Sequence, residues 1–199
     1  MPEFLGLLAR DRISFGGDPA FFCGQDVLVT GAAGTIGSAL VRSLRHAGVA
    51  VCGVDRRLGN EVDVQGDLCD ITFLKTVLAD RSVVFHAAAL KHVDRAELDP
   101  DLAWHINRDL VREICHARQP GSRLLFVSTD KAAYPLGVMG RSKRDAEGIV
   151  QSNGEHGPAL VVRFPNILGS SDSVLPIWLN QLALDQPLTL RIRRPHVGS

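Results

Sequence analysis

An acid and an amine lie side by side at positions 130 and 131 of this 199-residue chain. They follow the apolar run 123–128, and such a pair at the carboxyl end of a strand can divide proton donation and abstraction between its members. A surface salt bridge is the alternative interpretation of Asp130 and Lys131. Lys143 follows Met139 by one helical turn, so both face the same way. The segment predicts proton-transfer chemistry, with Lys143 able to bind ribose hydroxyls.

A glycine-rich turn at 31–37 lies between an apolar run and a helix-like stretch. Gly31 permits a tight turn, Gly34 lets the backbone approach a pyrophosphate, and Gly37 lets the helix pack close to the sheet. The helix N-terminus offers unpaired N–H groups to phosphates. A glycine turn without a ligand is the alternative, and the strand–turn–helix context favours a dinucleotide. The predicted cofactor contacts here are Gly31, Ala33, Gly34, Thr35, Ile36 and Gly37.

The end of the second predicted strand governs the choice of dinucleotide. A carboxylate at Asp55 accepts hydrogen bonds from the adenosine ribose and repels a 2′-phosphate, which favours NAD. Arg56 and Arg57 follow directly and could instead pair with that phosphate or lie solvated on a loop. The expected cofactor is NAD or NADP, with NAD favoured.

Two further segments are predicted to contact the cofactor. Asp67 and Leu68 lie where this fold usually contacts adenine, although Asp67 could equally cap the helix that begins near residue 70. Small residues after the strand at 82–87 let the backbone approach the nicotinamide ribose, and ordinary packing is their alternative role. These small residues are Ala87, Ala88 and Ala89.

Short apolar runs alternate with helix-like stretches along the chain. The predicted strands are 26–30, 49–55, 82–87, 123–128 and 159–164, with a weaker one at 61–65. The predicted helices are 35–47, 71–79, 96–118 and 140–152. This alternation predicts an α/β fold with a doubly wound parallel sheet, which binds ligands beyond the carboxyl ends of its strands. We divide the chain into an N-terminal arm (1–25), a dinucleotide-binding domain (26–165) and the start of a substrate lobe (166–199).

The composition is that of an ordinary globular protein. Lys plus Arg and Asp plus Glu number 22 each, so there is no general attraction to nucleic acid or an anionic membrane. No apolar run approaches the length of a membrane span, and the first residues lack the pattern of a signal peptide. The four cysteines are scattered, so no metal site is expected. These features predict a cytoplasmic protein.

Five segments together resemble one family. They are 30–37, 86–93 (HAAALKHV), 128–131 (STDK), 138–143 (VMGRSK) and 163–170 (RFPNILGS). The chain resembles the polysaccharide-biosynthesis (CapD-like) nucleotide-sugar 4,6-dehydratases, which are extended short-chain dehydrogenase/reductases (SDRs) acting on UDP-N-acetylglucosamine. The similarity runs from about residue 5 to residue 190. It implies a Rossmann fold, bound NAD(P), a UDP-sugar substrate and a role in polysaccharide or glycoconjugate biosynthesis.

The resemblance implies roles for the residues around the acid–amine pair. Thr129 is expected to bind the sugar C4 oxygen, Lys131 to remove the C5 proton, and Asp130 to protonate the departing 6-hydroxyl. Lys143 is expected to orient the nicotinamide ribose. Met139 occupies the place of the usual catalytic tyrosine, as in one branch of the family. Because a thioether cannot ionise, the C4 hydroxyl proton needs another acceptor, such as water or Asp130.

The resemblance also implies substrate contacts, with departures from the family pattern. The expected contacts are Lys91, His92, Asn107 and Asn166. The departures are Arg108, Asp109 and Leu110 after the helix asparagine, Pro165 before Asn166, and Ser171 and Asp172 after Gly169 and Ser170. They bear on substrate binding more than on the dinucleotide site.

Family members continue beyond residue 190 into a substrate domain, whereas this sequence stops at 199. We expect the substrate lobe to be partial: a second copy or a partner chain completes the site, or the sequence is a truncated form, or the domain no longer turns over its substrate. The 199-residue chain alone is expected to bind cofactor and to turn over UDP-sugars slowly or not at all. A nucleotide-sugar epimerase or oxidoreductase of the same superfamily and a non-catalytic NAD(P)-binding subunit are the alternatives.

Overall fold

The computed structural model describes residues 18–167, 170 and 174–187. Its centre is a six-stranded sheet in the order β3-β2-β1-β4-β5-β6, and every neighbouring pair is parallel. The strands are β1 (Val27–Thr30), β2 (Val51–Asp55), β3 (Val64–Gln65), β4 (Val83–His86), β5 (Arg123–Thr129) and β6 (Ala159–Phe164). The predicted doubly wound sheet is confirmed, and its order is that of Rossmann folds.

Helices follow β1, β3, β4, β5 and β6, whereas β2 continues into β3 through the loop at 56–63. The helices are α1 (Thr35–His46), α2 (Ile71–Leu78), α3 (Val93–Leu98), α4 (Pro100–Trp104), α5 (Leu110–Ala117), α6 (Val138–Ser152) and α7 (Val174–Ala183). Short 3₁₀ turns are formed by Pro19–Phe22, Asp130–Ala132 and Gly154–His156. The segment His105–Asp109 forms one turn of π-helix, called the π-turn below.

The single helix predicted for 96–118 is wrong. The helical stretch begins at Val93 and breaks at Asp99, whose φ of −134° is not helical. Asp99 accepts a hydrogen bond from the backbone N–H of Leu102, and Pro100 occupies the first turn of α4, so the two residues end one helix and start the next. The π-turn then bulges the chain before α5.

Two apolar layers hold the sheet. Val29 of β1 packs with Val41 and Leu44 of α1 on one face. On the other face α2, α5 and α6 cover a larger set, whose fully buried members include Leu28, Leu74, Ile114, Phe126 and Ala146. Each buried aliphatic or aromatic side chain of this size stabilises the fold by about 1.5–3 kcal/mol. The layers fix the strand ends from which the candidate site is built.

The predicted N-terminal arm and substrate lobe are described only in part. Phe22, at the end of the 3₁₀ turn, packs edge-on against Phe85 of β4, with ring centroids 5.5 Å apart. Residues 1–17, 168–169, 171–173 and 188–199 lie outside the described residues, and with them Gly169, Ser171 and Asp172. Within the described ranges, no helix is long and apolar enough to cross a membrane.

Candidate functional site

The glycine turn lies at the carboxyl edge of the sheet, in close contact with the loop after β4. Gly31 has a φ of +74°, and a Cβ there would lie 2.6 Å from the backbone nitrogen of Ala88. A Cβ on Gly37 would lie 2.1 Å from the carbonyl oxygen of Gly31. Both positions therefore require glycine for steric reasons, and α1 starts directly on the turn.

The N-terminus of α1 lacks a side-chain cap. Gly34 is its N-cap residue, with extended dihedrals and no side chain to bind the first N–H groups. The backbone N–H of Gly34 donates to the Gly31 oxygen over 2.9 Å, while Thr35 and Ile36 open the helix. Uncapped N–H groups and the positive end of the helix dipole are what a phosphate binds.

Asp55 supports the same turn from the end of β2. Its residue exposure is 8%, and its Oδ2 accepts a hydrogen bond from the backbone N–H of Ala33 over 3.1 Å. The backbone N–H of Arg57 donates to Oδ1 over 2.9 Å, and the Arg57 Nε lies 3.8 Å away. The Arg56 carbonyl accepts a bond from Gln65. Asp55 keeps acceptor capacity for ribose hydroxyls, since each oxygen accepts only one of these backbone bonds.

The predicted adenine segment lies between β3 and α2. Leu68 is 6% exposed, and Asp67 Oδ1 accepts the backbone N–H of Cys69 over 3.0 Å. The alternative that Asp67 caps α2 is wrong, because Asp70 is the N-cap residue and accepts the N–H groups of Thr72 and Phe73. Asp67 therefore shapes the loop before the helix.

A buried histidine ties the glycine turn to the loop after β4. Thr30 Oγ1 lies 2.7 Å from His86 Nδ1 and also accepts the backbone N–H of Ala88 over 3.3 Å. Burial lowers the pKa of His86 to about 3, and the charge of Lys143 acts in the same direction. His86 is therefore neutral at physiological pH. The partly buried residues that follow it are Ala87, Ala88 and Ala89.

The acid–amine pair lies at the end of β5 and contacts β6. Lys131 Nζ lies 3.2 Å from Asp130 Oδ1 and donates to Asn166 Oδ1 over 2.9 Å. The Thr129 hydroxyl donates to Asp130 Oδ1 over 3.0 Å. Burial raises the pKa of Asp130, but hydrogen bonds from Thr129 and Lys131 outweigh it and hold that pKa below its usual value. The predicted residues Thr129, Asp130, Lys131 and Asn166 thus form one cluster.

Lys143 is buried on the inner face of α6. Its Nζ donates to the Val127 carbonyl over 2.9 Å and lies 4.3 Å from the centre of the Phe126 ring. Burial lowers the pKa of Lys143 to about 7, and the charge of Glu147 opposes this shift. Met139, one turn earlier, packs in an apolar cluster with Leu90 and is 6% exposed. In the described structure Met139 therefore fills space.

We expect the free energy of unfolding to rise by ~2 kcal/mol between pH 7 and pH 9 because of Lys143. The pKa of this amine is about 7 in the folded chain against 10.5 ordinarily, so the unfolded chain binds more protons in this interval. The interval ends at pH 9.0 because the cysteine thiols of an unfolded chain ionise near that pH. Urea denaturation at both pH values measures the change. A Lys143→Met variant with the same pH slope would contradict the expectation.

Asn107, a predicted substrate contact, is bound to other residues of the chain in the described structure. It is fully buried in the π-turn, where its Oδ1 accepts the backbone N–H of Leu90 over 2.9 Å. Its Nδ2 donates to the Leu90 carbonyl and to the Ser142 hydroxyl, each over 3.2 Å. Asn107 therefore fixes the loop after β4 against α6. Lys91 and His92, at the end of that loop, are exposed and immediately precede α3.

Sequence reasoning missed two carboxylates that anchor α6, the exposed Glu97 and the buried Glu147. Glu97 Oε1 accepts the backbone N–H of Val138 over 2.9 Å and so caps the helix from α3. Glu147 is 4% exposed and binds both Ser128 and Arg163. The spacing of Glu147 from Lys143, one helical turn, is a signal that places the two on one face.

The fold and this site define a class. The sheet order and the glycine turn are those of a Rossmann-type dinucleotide-binding domain. Residues 53–194 match the polysaccharide biosynthesis protein family. The chain belongs to that family, as the resemblance predicted.

Three similar proteins illustrate the relationship. The capsular polysaccharide biosynthesis protein CapD of Staphylococcus aureus is 32% identical over 94% of this chain and 36% of its own length. A UDP-glucose 4-epimerase of Rickettsia rickettsii is 26% identical over 85% of this chain and 57% of its own. The structure of MoeE5 in complex with UDP-glucose and NAD is 30% identical, with a TM-score of 0.62, over 68% of this chain and 52% of its own. The chain thus spans about a third of CapD and a little over half of the other two.

Proposed function

We propose that this chain is an NAD(P)-dependent nucleotide-sugar 4,6-dehydratase acting on UDP-N-acetylglucosamine or a related UDP-sugar in polysaccharide biosynthesis. The observation that carries the proposal is the contact of Lys131 with both Asp130 and Asn166 at the carboxyl edge of the sheet. An epimerase needs a proton acceptor for one hydroxyl, whereas a dehydratase needs a base and an acid for two neighbouring carbons. The paired acid and amine match the second requirement.

The residues around the glycine turn fit a dinucleotide. A Cβ would fill the space at Gly31 and Gly37, and α1 presents uncapped N–H groups beside them. Asp55 is held by two backbone N–H groups with acceptor capacity to spare. MoeE5, the relative solved with UDP-glucose and NAD, is 30% identical to this chain over the aligned region, which covers 68% of this chain. When bound, the nicotinamide supplies hydride removal at C4 and hydride delivery to C6.

The proton steps fall to the chain's own residues. The lowered pKa of Asp130 keeps it ionised at neutral pH, so it can accept the C4 hydroxyl proton and then donate that proton to the departing 6-hydroxyl, which leaves as water. Lys131 takes the C5 proton and returns it to C5 after elimination. Thr129 lies beside Asp130 to bind the C4 oxygen. The protons therefore balance over the cycle without an ionisable group at Met139.

The roles of the remaining residues follow from position. Lys143 is proposed to bind the ribose, Asp67 and Leu68 the adenosine side, and Lys91 and His92 the sugar nucleotide. We assign cofactor binding to 26–165 and the start of the substrate-binding lobe to 166–199. Asn107 enters the proposal as a positioning residue, because its amide is bound within the chain.

Product analysis tests the proposal. The chain is incubated with NAD and UDP-N-acetylglucosamine, and the nucleotide sugar is examined by mass spectrometry and NMR. A dehydratase yields a 4-keto-6-deoxy sugar that has lost one water. A C4 epimer of unchanged mass would support the epimerase, the activity for which the Rickettsia relative is named. Tight NAD binding with unaltered sugar, both for the chain alone and with the substrate lobe of a related enzyme added, would support a non-catalytic binding subunit.

Asp55→Ala is expected to shift cofactor preference toward NADP. The carboxylate repels a 2′-phosphate, and its removal leaves the exposed Arg57 and neighbouring Arg56 to attract one. Because Asp55 also binds the Ala33 N–H, NAD affinity is expected to fall about tenfold. Calorimetric titration of both dinucleotides measures the change. A strong native preference for NADP would show that the arginines, rather than Asp55, govern the pocket.

A further inference from the structure

Glu147 binds the ends of two neighbouring strands at once. Its Oε1 accepts the Ser128 hydroxyl over 2.6 Å and the Arg163 Nε over 2.9 Å, and its Oε2 accepts the Arg163 Nη2 over 2.6 Å. Ser128 and Arg163 are directly paired residues of β5 and β6. A single carboxylate on α6 therefore fixes the register at which the two strands end.

The candidate catalytic cluster begins immediately beyond this point. Lys131 lies three residues after Ser128, and Asn166 lies three residues after Arg163. The contact between the Lys131 amine and the Asn166 amide thus joins the segments that follow β5 and β6. Glu147 binds both strands just before these segments begin. Relative movement of the two strand ends would therefore change that contact.

A second attachment lies one turn earlier on the same helix. Lys143 Nζ donates to the carbonyl of Val127, the residue before Ser128. The inner face of α6 is therefore bound to two consecutive residues of β5 through Lys143 and Glu147. Burial raises the pKa of Glu147, but the hydrogen bonds from Arg163 and Ser128 outweigh it and hold that pKa below its usual value, so the carboxylate stays ionised.

We infer that Glu147 is a positioning residue that sets the placement of Lys131 and Asp130 by clamping the carboxyl ends of β5 and β6 to α6. This role rests on the proposed function, in which Lys131 and Asp130 act on a sugar. Misplacement of reacting groups by about 1 Å costs on the order of a hundredfold in rate. A clamp of this kind therefore affects the rate more than it affects cofactor binding.

Glu147→Gln tests the inference, because glutamine retains an acceptor for Ser128 and loses the paired charge for Arg163. In the NAD-loaded chain, amide hydrogen exchange is expected to accelerate at least tenfold at residues 128–131 and 163–166. Exchange in β1, β2 and β4 is expected to change less than twofold. Glu155→Gln, an exposed carboxylate beyond the end of α6, is the matched control and is expected to leave every segment unchanged.

Two additional readouts separate this role from a general loss of stability. Ser128→Ala removes one bond alone and is expected to accelerate exchange at 128–131 while leaving 163–166 unchanged. With UDP-N-acetylglucosamine, Glu147→Gln is expected to lower kcat at least tenfold while the Kd for NAD stays within twofold. Uniform acceleration across the sheet, or no acceleration at either strand end, would overturn the inference. Absence of turnover in the unmodified chain even with the substrate lobe of a related enzyme added would instead count against the proposed function, and the exchange pattern would still decide the role of Glu147.

Discussion

Lys131→Met is expected to lower kcat for dehydration by on the order of 10²–10⁴-fold, the contribution typical of a positioned acid or base. The amine is the one group in the described cluster that contacts both Asp130 and Asn166, and methionine of similar length cannot accept the C5 proton. The ion pair it replaces is exposed, with side-chain exposures of 41% and 50%, so little stability is lost. Turnover of UDP-N-acetylglucosamine measures the effect.

The control for this variant is Lys75→Met. Lys75 is an exposed residue of α2 and carries the same charge away from the cluster. It is expected to leave kcat unchanged. Calorimetry should give Kd values for NAD within about threefold of the unmodified chain for both variants. Retention of kcat within tenfold in Lys131→Met would remove this residue from the proposed mechanism.

Gly37→Ala is expected to destabilise the fold by about 3 kcal/mol or more and to weaken NAD binding at least a hundredfold. The added Cβ would lie 2.1 Å from the Gly31 oxygen and 2.7 Å from its carbonyl carbon, and both are backbone atoms of a tight turn. The turn must therefore move away from α1. Thermal unfolding and calorimetric titration with NAD measure the two effects.

Gly148→Ala is the matched control, because Gly148 also lies inside a helix and a Cβ there meets no atom within 4 Å. Alanine is the better helix former by about 1 kcal/mol, so this variant is expected to be slightly more stable and to bind NAD normally. Equal effects of the two substitutions would show that the close contact of α1 with the turn is unimportant.

The parts of the fold that depend on local pattern could be predicted from the sequence. The strands and the glycine turn carry short-range signals, namely β-branched apolar runs and glycines at fixed spacing, and the sheet is confirmed. The break at Asp99 and Pro100 also has a local signal, but the apolar spacing on both sides favoured one continuous helix. Asp70 likewise has a local signal for the N-cap position of α2, although the sequence analysis offered Asp67 for that role as an alternative.

The parts that depend on distant partners could not be predicted. Asn107 and Leu90 are 17 residues apart, and their pairing decides that the asparagine amide is buried. Arg118 is only 2% exposed, and its guanidinium donates to the carbonyls of Ser122, Pro158 and Gly157. Arginine is usually an exposed residue, so the sequence alone does not predict this burial. The clamp at Glu147 depends in the same way on the pairing of β5 with β6.

Isotope transfer tests the central claim most directly. The chain, in excess over UDP-N-acetylglucosamine carrying deuterium at C4, is incubated with NAD, and the position of deuterium in the product is read by NMR. The account predicts a 4-keto-6-deoxy sugar with deuterium at C6. The Lys131→Met variant is expected to form this product far more slowly. Deuterium returned to C4 in an epimerised sugar of unchanged mass would contradict it.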